Sequence, residues 1–420
     1  MRERRTTPMD RNDLIYDWNV EGDAAGAKKP EPVMLDDETL RDGLQSPSVT
    51  DPPIELKRKI LHLQNDLGIE TSNIGLPGAG PRAVADVEAL CREIADQKLA
   101  IQANCAARTM LCDIEPIAEI TQKTGVPIEA CLFIGSSPIR QYTEGWDEEF
   151  LLKQTTEAIG FARDQGLTVM YVTEDTSRAH PDTVRKLYTE AVRCGAQRVC
   201  VTDTVGHATP TGAARLIRFM REVVDEAGGT EVGIDWHGHR DRGMGLANCL
   251  AAYRAGATRV HGCGLGIGER CGNAEIDLLL VNLKLLGWID RDLSKLGEYC
   301  QAVSKATGVP VPTNYPVVGT DAFETATGVH AAAVIKAYRK GDAWLADAVY
   351  SGVVASDFGF RQKIRVGPMS GRSNVIFWLE EHGIEPTDER VDRIFEAAKK
   401  SDRLLEDGEI RDLLSAAAEV

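Results

Sequence analysis

The sequence lacks the signals of disulfide pairing, of membrane-spanning helices and of secretory targeting. Its ten cysteines include no Cys-x-x-Cys pair, and those in apolar contexts, such as Cys131 and Cys200, are typical of reduced thiols. No apolar run reaches the length of about 18 residues that a transmembrane helix needs. The basic residues at the N-terminus are not followed by an apolar stretch, so they do not resemble a secretory signal. Together these absences predict a cytoplasmic protein with no membrane partner.

The charge balance argues against a further class of partner. Asp and Glu total 64 against 48 Lys and Arg, which gives a formal net charge of −16. Binding to a phosphate backbone requires net or clustered positive charge, so the sequence predicts no nucleic-acid partner. With 420 residues, 43% of them hydrophobic, the chain is long enough for a barrel enzyme with an additional region.

From residue 33 onward, short apolar runs rich in β-branched residues alternate with longer amphipathic stretches. The runs, spaced by about 30 residues, are 33–35, 69–75, 99–103, 128–134, 168–172, 198–201, 232–236 and 259–263. Three of the intervening helical patterns end before a glycine, at Gly166, Gly195 and Gly256. Eight strand–helix units predict the α/β class and a (β/α)8 TIM barrel. An open, doubly wound sheet is the alternative.

The sequence predicts four parts in the chain. Residues 1–32 form a polar N-terminal extension, and residues 33–288 form the TIM-barrel catalytic domain. Residues 289–368 lack the strand–helix rhythm and form a linker subdomain. Residues 369–420 form a small helical subdomain, with helices expected near 375–382, 388–400 and 407–418. In a barrel of this kind the active site lies at the C-terminal ends of the strands.

The seventh predicted strand ends in a His-x-His pair, His237 and His239. Residues i and i+2 of a strand point to one face, about 7 Å apart, so both imidazoles can bind one divalent ion beyond the strand end. At the top of the first strand, Asp42 can add an oxygen ligand, and Arg41 can stabilise an anion or a developing enolate. Asn273, after the glycine-rich loop that follows strand eight, can add a neutral oxygen ligand. The alternative is a pair of ordinary core or surface histidines.

Two other strand ends bring polar groups to the same rim. The fifth strand ends at Thr173-Glu174-Asp175, and the sixth ends at Thr202-Asp203-Thr204. Some of these side chains serve as caps for the helices that follow. Several carboxylates and hydroxyls at one barrel face are also what a polar catalytic site needs.

Four motifs resemble those of the metal-dependent Claisen-condensing barrel enzymes, namely 2-isopropylmalate, citramalate and homocitrate synthases, with HMG-CoA lyase as a more distant relative. The motifs are Thr39-Leu40-Arg41-Asp42-Gly43-x-Gln45, His237-x-His239 with Gly243 and Ala247-Asn248, Gly266-Ile267-Gly268-Glu269-Arg270-x-Gly272-Asn273, and Ser370-Gly371-Arg372. The resemblance extends from about residue 33 to the C-terminus. It implies a C-acyltransferase that condenses acetyl-CoA with a 2-oxo acid, of the 2-isopropylmalate synthase type.

The resemblance also implies roles for particular residues. A divalent metal (Mg, Mn, Zn or Co) is expected on Asp42, His237 and His239, with Asn273 nearby or coordinating. The residues expected to be catalytic are Arg41, Glu174, His330 and Tyr350. The residues expected to contact the substrate are Gln45, Asn73, Cys131 and Thr204. Because family members supply the last two catalytic residues from a neighbouring subunit, a homodimer is expected.

Three alternatives remain open. The first is a homocitrate- or citramalate-type synthase acting on another 2-oxo acid. The second is a lyase of the HMG-CoA lyase type that runs the reverse, retro-Claisen cleavage. The third is a barrel that has lost catalysis and serves as a binding or regulatory subunit. This alternative predicts that a metal ligand or the catalytic base is missing.

The expected substrate pocket gives conflicting signals about charge. Arg240 and Arg242 stand where the family usually has Asn and Leu, and they favour an oxo acid with an extra anionic group. Phe133 and Val172, which strand alternation places on the same face as other site residues, favour an apolar or small side chain. We favour the apolar case, because charged residues after the seventh strand can face solvent.

Overall fold

The structure is a computed structural model that describes residues 11–19 and 30–415. Residues 1–10 and 20–29 of the predicted N-terminal extension, and residues 416–418 of the last predicted helix, lie outside this range. None of the helices in the described part is long and apolar enough to cross a membrane. All ten cysteines are free thiols, as the sequence predicted.

Eight parallel strands close into a barrel in sequence order. They are β1 Met34–Asp37, β2 Thr71–Asn73, β3 Gln102–Arg108, β4 Ile128–Gly135, β5 Thr168–Glu174, β6 Arg198–Asp203, β7 Gly233–Gly238 and β8 Arg259–Gly262. Strand β1 pairs with both β2 and β8, which closes the sheet. The TIM-barrel prediction is therefore confirmed, and the open doubly wound sheet is excluded.

Helices connect and surround the strands. They are α1 Arg11–Leu14, α2 Ile54–Asp66, α3 Pro81–Gln97, α4 Leu111–Thr124, α5 Pro138–Glu144, α6 Glu148–Asp164, α7 Pro181–Arg193, α8 Pro210–Glu226, α9 Gly245–Ala255, α10 Ile276–Leu285, α11 Leu296–Thr307, α12 Gly328–Arg339, α13 Ala343–Ala348, α14 Arg372–Glu381, α15 Asp388–Lys400 and α16 Asp407–Ser415. After α6, α7 and α9, the predicted glycines have φ of +79°, +95° and +111°. These left-handed conformations end the helices and favour glycine.

The barrel interior contains a charged layer beneath the predicted site. The buried guanidinium of Arg259 donates to Asp235 Oδ2 and to Glu129 Oε2, both at 2.6 Å. Arg198 donates to the other oxygen of Asp235 at 2.6 Å. Because a buried charge is costly unless it is paired and hydrogen-bonded, these contacts fix the side chain of Asp235 firmly.

The chain after the barrel divides into regions with different packing. The first helix of the predicted linker subdomain, α11, buries Leu296, Tyr299 and Val303 in the main core of the barrel. The segment was expected to lack a core pattern, but its apolar residues at helical spacing pack on α2 and on the loop after β8. A separate small core joins α12 and α13. Strands β9 Glu324–Thr325 and β10 Lys363–Ile364 form a two-stranded sheet beside it.

The last three helices have a core of their own. Residues of α14 and α15 such as Val375, Trp378 and Ile394 are buried together. The motif Ser370-Gly371-Arg372 leads into α14, as expected. A Cβ atom on Gly328, at the start of α12, would lie 2.8 Å from the backbone nitrogen of Gly371. This close approach ties the start of α12 to the start of α14, while the four predicted domain boundaries stay predictions.

Candidate active site

A cavity of about 260 Å³ opens at the C-terminal ends of the barrel strands. The predicted site residues that line it are Arg41, Asp42, Gln45, Asn73, Cys131, Glu174, Thr204, His237 and His239. Residues from β1, β2, β4, β5, β6 and β7 and from the loops that follow them thus meet at one rim. Closure of the barrel is what brings together side chains that are up to about two hundred residues apart in the sequence.

Asp42, His237 and His239 form a compact group of buried ligand atoms. One ligand atom from each lies within 4.8 Å of the other two. The Nε2 atoms of His237 and His239 lie 3.6 and 3.5 Å from Asp42 Oδ2. This is a nitrogen, nitrogen and oxygen donor set of the kind that catalytic zinc and related ions use.

The electrostatics favour the metal-binding protonation states of His239 and Asp42. Burial, followed by the neighbouring His237, lowers the pKa of His239 to about 4. Burial alone would raise the pKa of Asp42, but the charges of Arg41 and His237 outweigh it and lower that pKa. Since metals bind neutral imidazole and ionised carboxylate, the group fits a divalent cation.

Asn273 adds a second indication of a cation. Its Nδ2 donates to Asp42 Oδ2 at 2.7 Å, so the amide is directed to the same group. Its Oδ1 is buried and has no hydrogen-bond partner. A buried oxygen without a partner is costly, and a cation held by the neighbouring carboxylate and imidazoles would satisfy it.

Two residues at the site were not anticipated from the sequence, Glu38 and His261. Glu38 Oε1 lies 2.7 Å from His261 Nδ1 and 3.3 Å from His237 Nδ1. The other carboxylate oxygen forms an ion pair with Arg41. Burial alone would raise the pKa of Glu38, but the charges of Arg41 and His237 outweigh it and hold that pKa well below its usual value. Burial alone would lower the pKa of His261, but the carboxylates of Asp36, Asp235 and Glu38 raise it to about 10.

A signal for His261 was present in the sequence. It lies two residues after Arg259 on β8, so both side chains point to the same face of the strand. Two consecutive polar residues on an inward face predict a buried polar network. Glu38 had no comparable signal, because it directly follows Asp36 and Asp37 and nothing in this acidic run distinguishes one carboxylate from the next.

The other predicted residues occupy distinct places around the cavity. Burial raises the pKa of Glu174, at the end of β5, more than the charge of Arg140 lowers it. With its amide oxygen facing Arg41, Asn73 accepts a hydrogen bond from Nε at 3.3 Å. The hydroxyl of Thr204 accepts a hydrogen bond from the backbone N–H of Asp175 at 2.8 Å.

An apolar, sulfur-rich group forms the deeper wall of the cavity. Cys131, Met170 and Cys200 are buried together, and Val172 packs against them. All four also line the cavity. Phe133 and Val172, which strand alternation had placed on the same face as other site residues, both line the cavity.

The two additional arginines are turned away from the cavity. Arg240 donates to the backbone oxygen of Cys271 at 2.8 Å and forms an ion pair with Glu275. Arg242 donates to the backbone oxygen of His207 at 2.7 Å. Neither lines the cavity, because both guanidinium groups are held by these partners instead.

His330 and Tyr350 are not brought to the cavity within this chain. They stack on each other, with ring centroids 4.1 Å apart and an interplanar angle of 26°. Both are exposed, and neither is among the residues that line the cavity. The structure thus separates the predicted site into a group that is assembled at the rim and a pair that stays outside it.

A protein-family model described as HMGL-like matches residues 33–303, which span the barrel and its α11 extension. This chain belongs to the HMGL-like family. The resemblance inferred from the four motifs is therefore confirmed.

The similar proteins include two kinds of synthase and a lyase. Homocitrate synthase AksA of Methanopyrus kandleri is 34% identical over 88% of this chain and 88% of its own length. The 2-isopropylmalate synthase of Sulfurisphaera tokodaii is 32% identical over 90% of this chain and 92% of its own length. The solved hydroxymethylglutaryl-CoA lyase of Pseudomonas aeruginosa, at 20% identity, matches 66% of this chain and 93% of that one with a TM-score of 0.55. That structure shows the shared barrel fold.

Proposed function

We propose that this chain is an acyltransferase that condenses acetyl-CoA with a 2-oxo acid and releases free CoA. In this reaction the methyl carbon of the acetyl group forms a bond with the oxo carbon, and water then cleaves the thioester. The observation that carries the proposal is the convergence of Asp42, His237, His239 and Arg41 on one cavity at the strand ends. The two synthases named above match this chain along nearly their whole length.

The metal-binding residues in this proposal are Asp42, His237 and His239, with Asn273 beside them. A bound divalent ion (Mg, Mn, Zn or Co) supplies Lewis-acid polarisation of a carbonyl oxygen. Arg41, beside Asp42, places a positive charge where negative charge develops on the reacting oxygens. The uncommitted, buried oxygen of Asn273 supports a cation at this position.

Two further residues contribute acid–base and binding groups. Removing a methyl proton from a thioester is difficult, so a positioned base is needed. Glu174 lines the cavity and has a raised pKa, which makes its carboxylate a stronger proton acceptor than an exposed one. Thr204, on the rim after β6, lies where a hydroxyl can bind the carboxylate of the oxo acid.

The cavity supports an oxo acid with an apolar side chain. The group formed by Cys131, Met170, Val172 and Cys200 offers an apolar surface, and a volume of about 260 Å³ suits a small acid. Arg240 and Arg242, which had favoured an anionic substrate, are bound to other groups outside the cavity. These observations support 2-isopropylmalate-type chemistry over a homocitrate-type reaction.

The remaining catalytic pair is proposed to come from a second subunit. His330 and Tyr350 are exposed and stacked on each other outside the cavity, where they are available to a neighbouring copy. A homodimer in which α12 of one chain covers the cavity of the other would complete each site.

A thiol-release assay tests the proposal. Purified protein is incubated with acetyl-CoA and one oxo acid at a time, and free CoA is measured. We expect a higher kcat/KM for 2-oxoisovalerate and pyruvate than for 2-oxoglutarate and oxaloacetate. If the dicarboxylates are preferred by more than about tenfold, equal to about 1.4 kcal/mol of transition-state stabilisation, the apolar assignment is wrong. If no oxo acid releases thiol, the acyltransferase assignment is wrong.

A further inference from the structure

The carboxylate of Glu38 lies close to three other side chains of the site. Its Oε1 lies 3.3 Å from His237 Nδ1 and 2.7 Å from His261 Nδ1, and its Oε2 forms an ion pair with Arg41. Its side chain is only 3% exposed. One buried carboxylate therefore contacts a proposed metal ligand and the proposed oxyanion-stabilising arginine at the same time.

The same atoms could be interpreted as a second metal site, since Glu38, His237 and His261 form a compact group of ligand atoms. The surroundings of His261 argue against this. Its Nδ1 faces Glu38 at 2.7 Å, and its Nε2 faces Asp235 at 2.9 Å. Both ring nitrogens thus face carboxylate acceptors at hydrogen-bond distance, so both are occupied as N–H donors and neither is left to bind a metal.

The contacts instead form a chain that runs from the barrel floor to the rim. Arg259 and Arg198 hold the two oxygens of Asp235 from below. Asp235 holds His261, which in turn holds Glu38. Asp235, His261 and Glu38 are all buried, so each of these side chains is confined to one orientation by its neighbours.

We propose that Glu38 is a positioning residue that fixes the orientation of both His237 and Arg41, and that His261 holds Glu38 in place by anchoring it to Asp235. With the Nδ1 of His237 turned to Glu38 Oε1, 3.3 Å away, its Nε2 is the ligand atom directed to Asp42. Such carboxylate–histidine pairs orient metal ligands and raise their basicity. This inference rests on the proposed metal-binding function and assigns residues that the four motifs do not identify.

The test measures Co²⁺ affinity by competition with a chromophoric chelator, together with the visible spectrum of the Co²⁺ complex. The principal variant is Glu38→Gln, which keeps the shape of the side chain and removes its charge. We expect a loss of Co²⁺ affinity of about tenfold to a hundredfold, with a changed spectrum. A role in stability alone would lower the melting temperature and leave both metal readouts as in the wild type.

The chain offers a closely matched control. Glu93 is also held by a histidine and an arginine, with His62 Nε2 at 2.8 Å and Arg58 Nε at 3.3 Å. This group lies on α2 and α3, on the outside of the barrel. Glu93→Gln should therefore leave the Co²⁺ affinity within about twofold of the wild-type value.

A second variant tests the anchoring step. His261→Gln should weaken Co²⁺ binding in the same direction as Glu38→Gln but less. The double variant should bind no more weakly than Glu38→Gln alone, because both changes interrupt one chain of contacts. Additive losses would mean that His261 acts independently of Glu38, and would overturn that step.

The outcomes distinguish this inference from the proposed function. If wild-type protein binds no Co²⁺, the proposed metal site fails and the inference fails with it. If the wild type binds Co²⁺ and folded Glu38→Gln binds it equally well with the same spectrum, only the positioning role is overturned. Should Glu38→Gln not fold, unchanged affinity in His261→Gln overturns the inference, and failure of both variants to fold assigns the chain of contacts to stability alone.

Discussion

The rim of the barrel and the segment that contains His330 and Tyr350 differ in how their predicted site residues are placed. The proposed metal ligands of the rim are buried and close together, whereas His330 and Tyr350 are exposed and lie outside the cavity. At the rim, ligand atoms of Asp42, His237 and His239 lie within 4.8 Å of one another, and none of the three residues is more than 9% exposed. Tyr350, by contrast, is 49% exposed and contacts the ring of His330 rather than the cavity.

The difference follows from how each region is held. Strands β1 and β7 both pair with β8, so barrel closure alone brings their C-terminal ends together. The position of α12 is set by its own small core and by its contact with the start of α14. Under the proposed function, the rim residues therefore hold the metal within one chain, whereas the His330–Tyr350 pair would be contributed by a second chain.

The largest effect is expected at the rim. His239→Ala removes one of the three proposed ligands, and we expect kcat to fall by about a thousandfold or more, since a Lewis-acid metal contributes several kcal/mol. Thiol release measured with and without added divalent ion checks this, and circular dichroism confirms that the variant is folded. Full activity in the folded variant would remove the basis for the metal assignment.

A smaller loss is expected from Glu174→Gln, which removes the proposed proton acceptor. We expect kcat to fall by about a hundredfold while Co²⁺ affinity stays as in the wild type. Because burial raises the pKa of Glu174 above its ordinary value of 4.5, wild-type kcat/KM should fall as the pH falls through that raised pKa. If the residual kcat/KM of Glu174→Gln falls at low pH in the same way as that of the wild type, another group is responsible for this pH dependence.

Mixing two inactive variants tests the contrast between the two regions directly. His237→Ala lacks a metal ligand, and His330→Ala lacks the proposed trans residue. In a hybrid dimer one site combines the intact rim of one chain with the intact His330 of the other. Random exchange should restore about a quarter of the wild-type activity. No restoration after verified subunit exchange, or a fully active monomer by light scattering, contradicts the shared site.

The smallest effect concerns Asp277, a buried carboxyl at the start of α10. It accepts hydrogen bonds from the Leu265 backbone N–H at 2.7 Å and from the Tyr315 hydroxyl at 3.0 Å. Burial raises its pKa from 3.8 to about 6. A raised carboxyl pKa contributes stability that is present below 3.8 and is lost as the pH rises through about 6.

Asp277→Asn should remove that pH dependence and keep an acceptor oxygen. We expect wild-type protein to lose about 1 kcal/mol more unfolding free energy than the variant between pH 5 and pH 8. Urea denaturation at several pH values measures this. Parallel curves for the two proteins would show that Asp277 does not titrate in this range.

Much of the rim could be predicted from the sequence, because its residues are placed by regular structure. A strand end fixes where His237 and His239 point, and a barrel fixes where strand ends meet. The alternation on β4 and β5 placed Phe133 and Val172 for the same reason. Short motifs within regular elements were therefore enough to predict which residues meet at the rim.

The parts that sequence reasoning missed depend on irregular or long-range contacts. Arg240 turns to Glu275 because of the loop conformation after β7, which no periodicity describes. Glu38 and His261 lie 223 residues apart, and nothing in either neighbourhood indicates the other. The α11 extension of the core was missed because its apolar spacing had no strand rhythm beside it.

The central claim is that the barrel rim of one chain completes a metal site. Measuring divalent-metal binding by point variants of the two regions tests it most directly. Co²⁺ is titrated into wild-type, His239→Ala and His330→Ala proteins under chelator competition. We predict one ion per chain with equal affinity for the wild type and His330→Ala, and loss of saturable binding for His239→Ala. Retained binding in His239→Ala, or loss of binding in His330→Ala, would contradict a metal site that the barrel rim completes by itself.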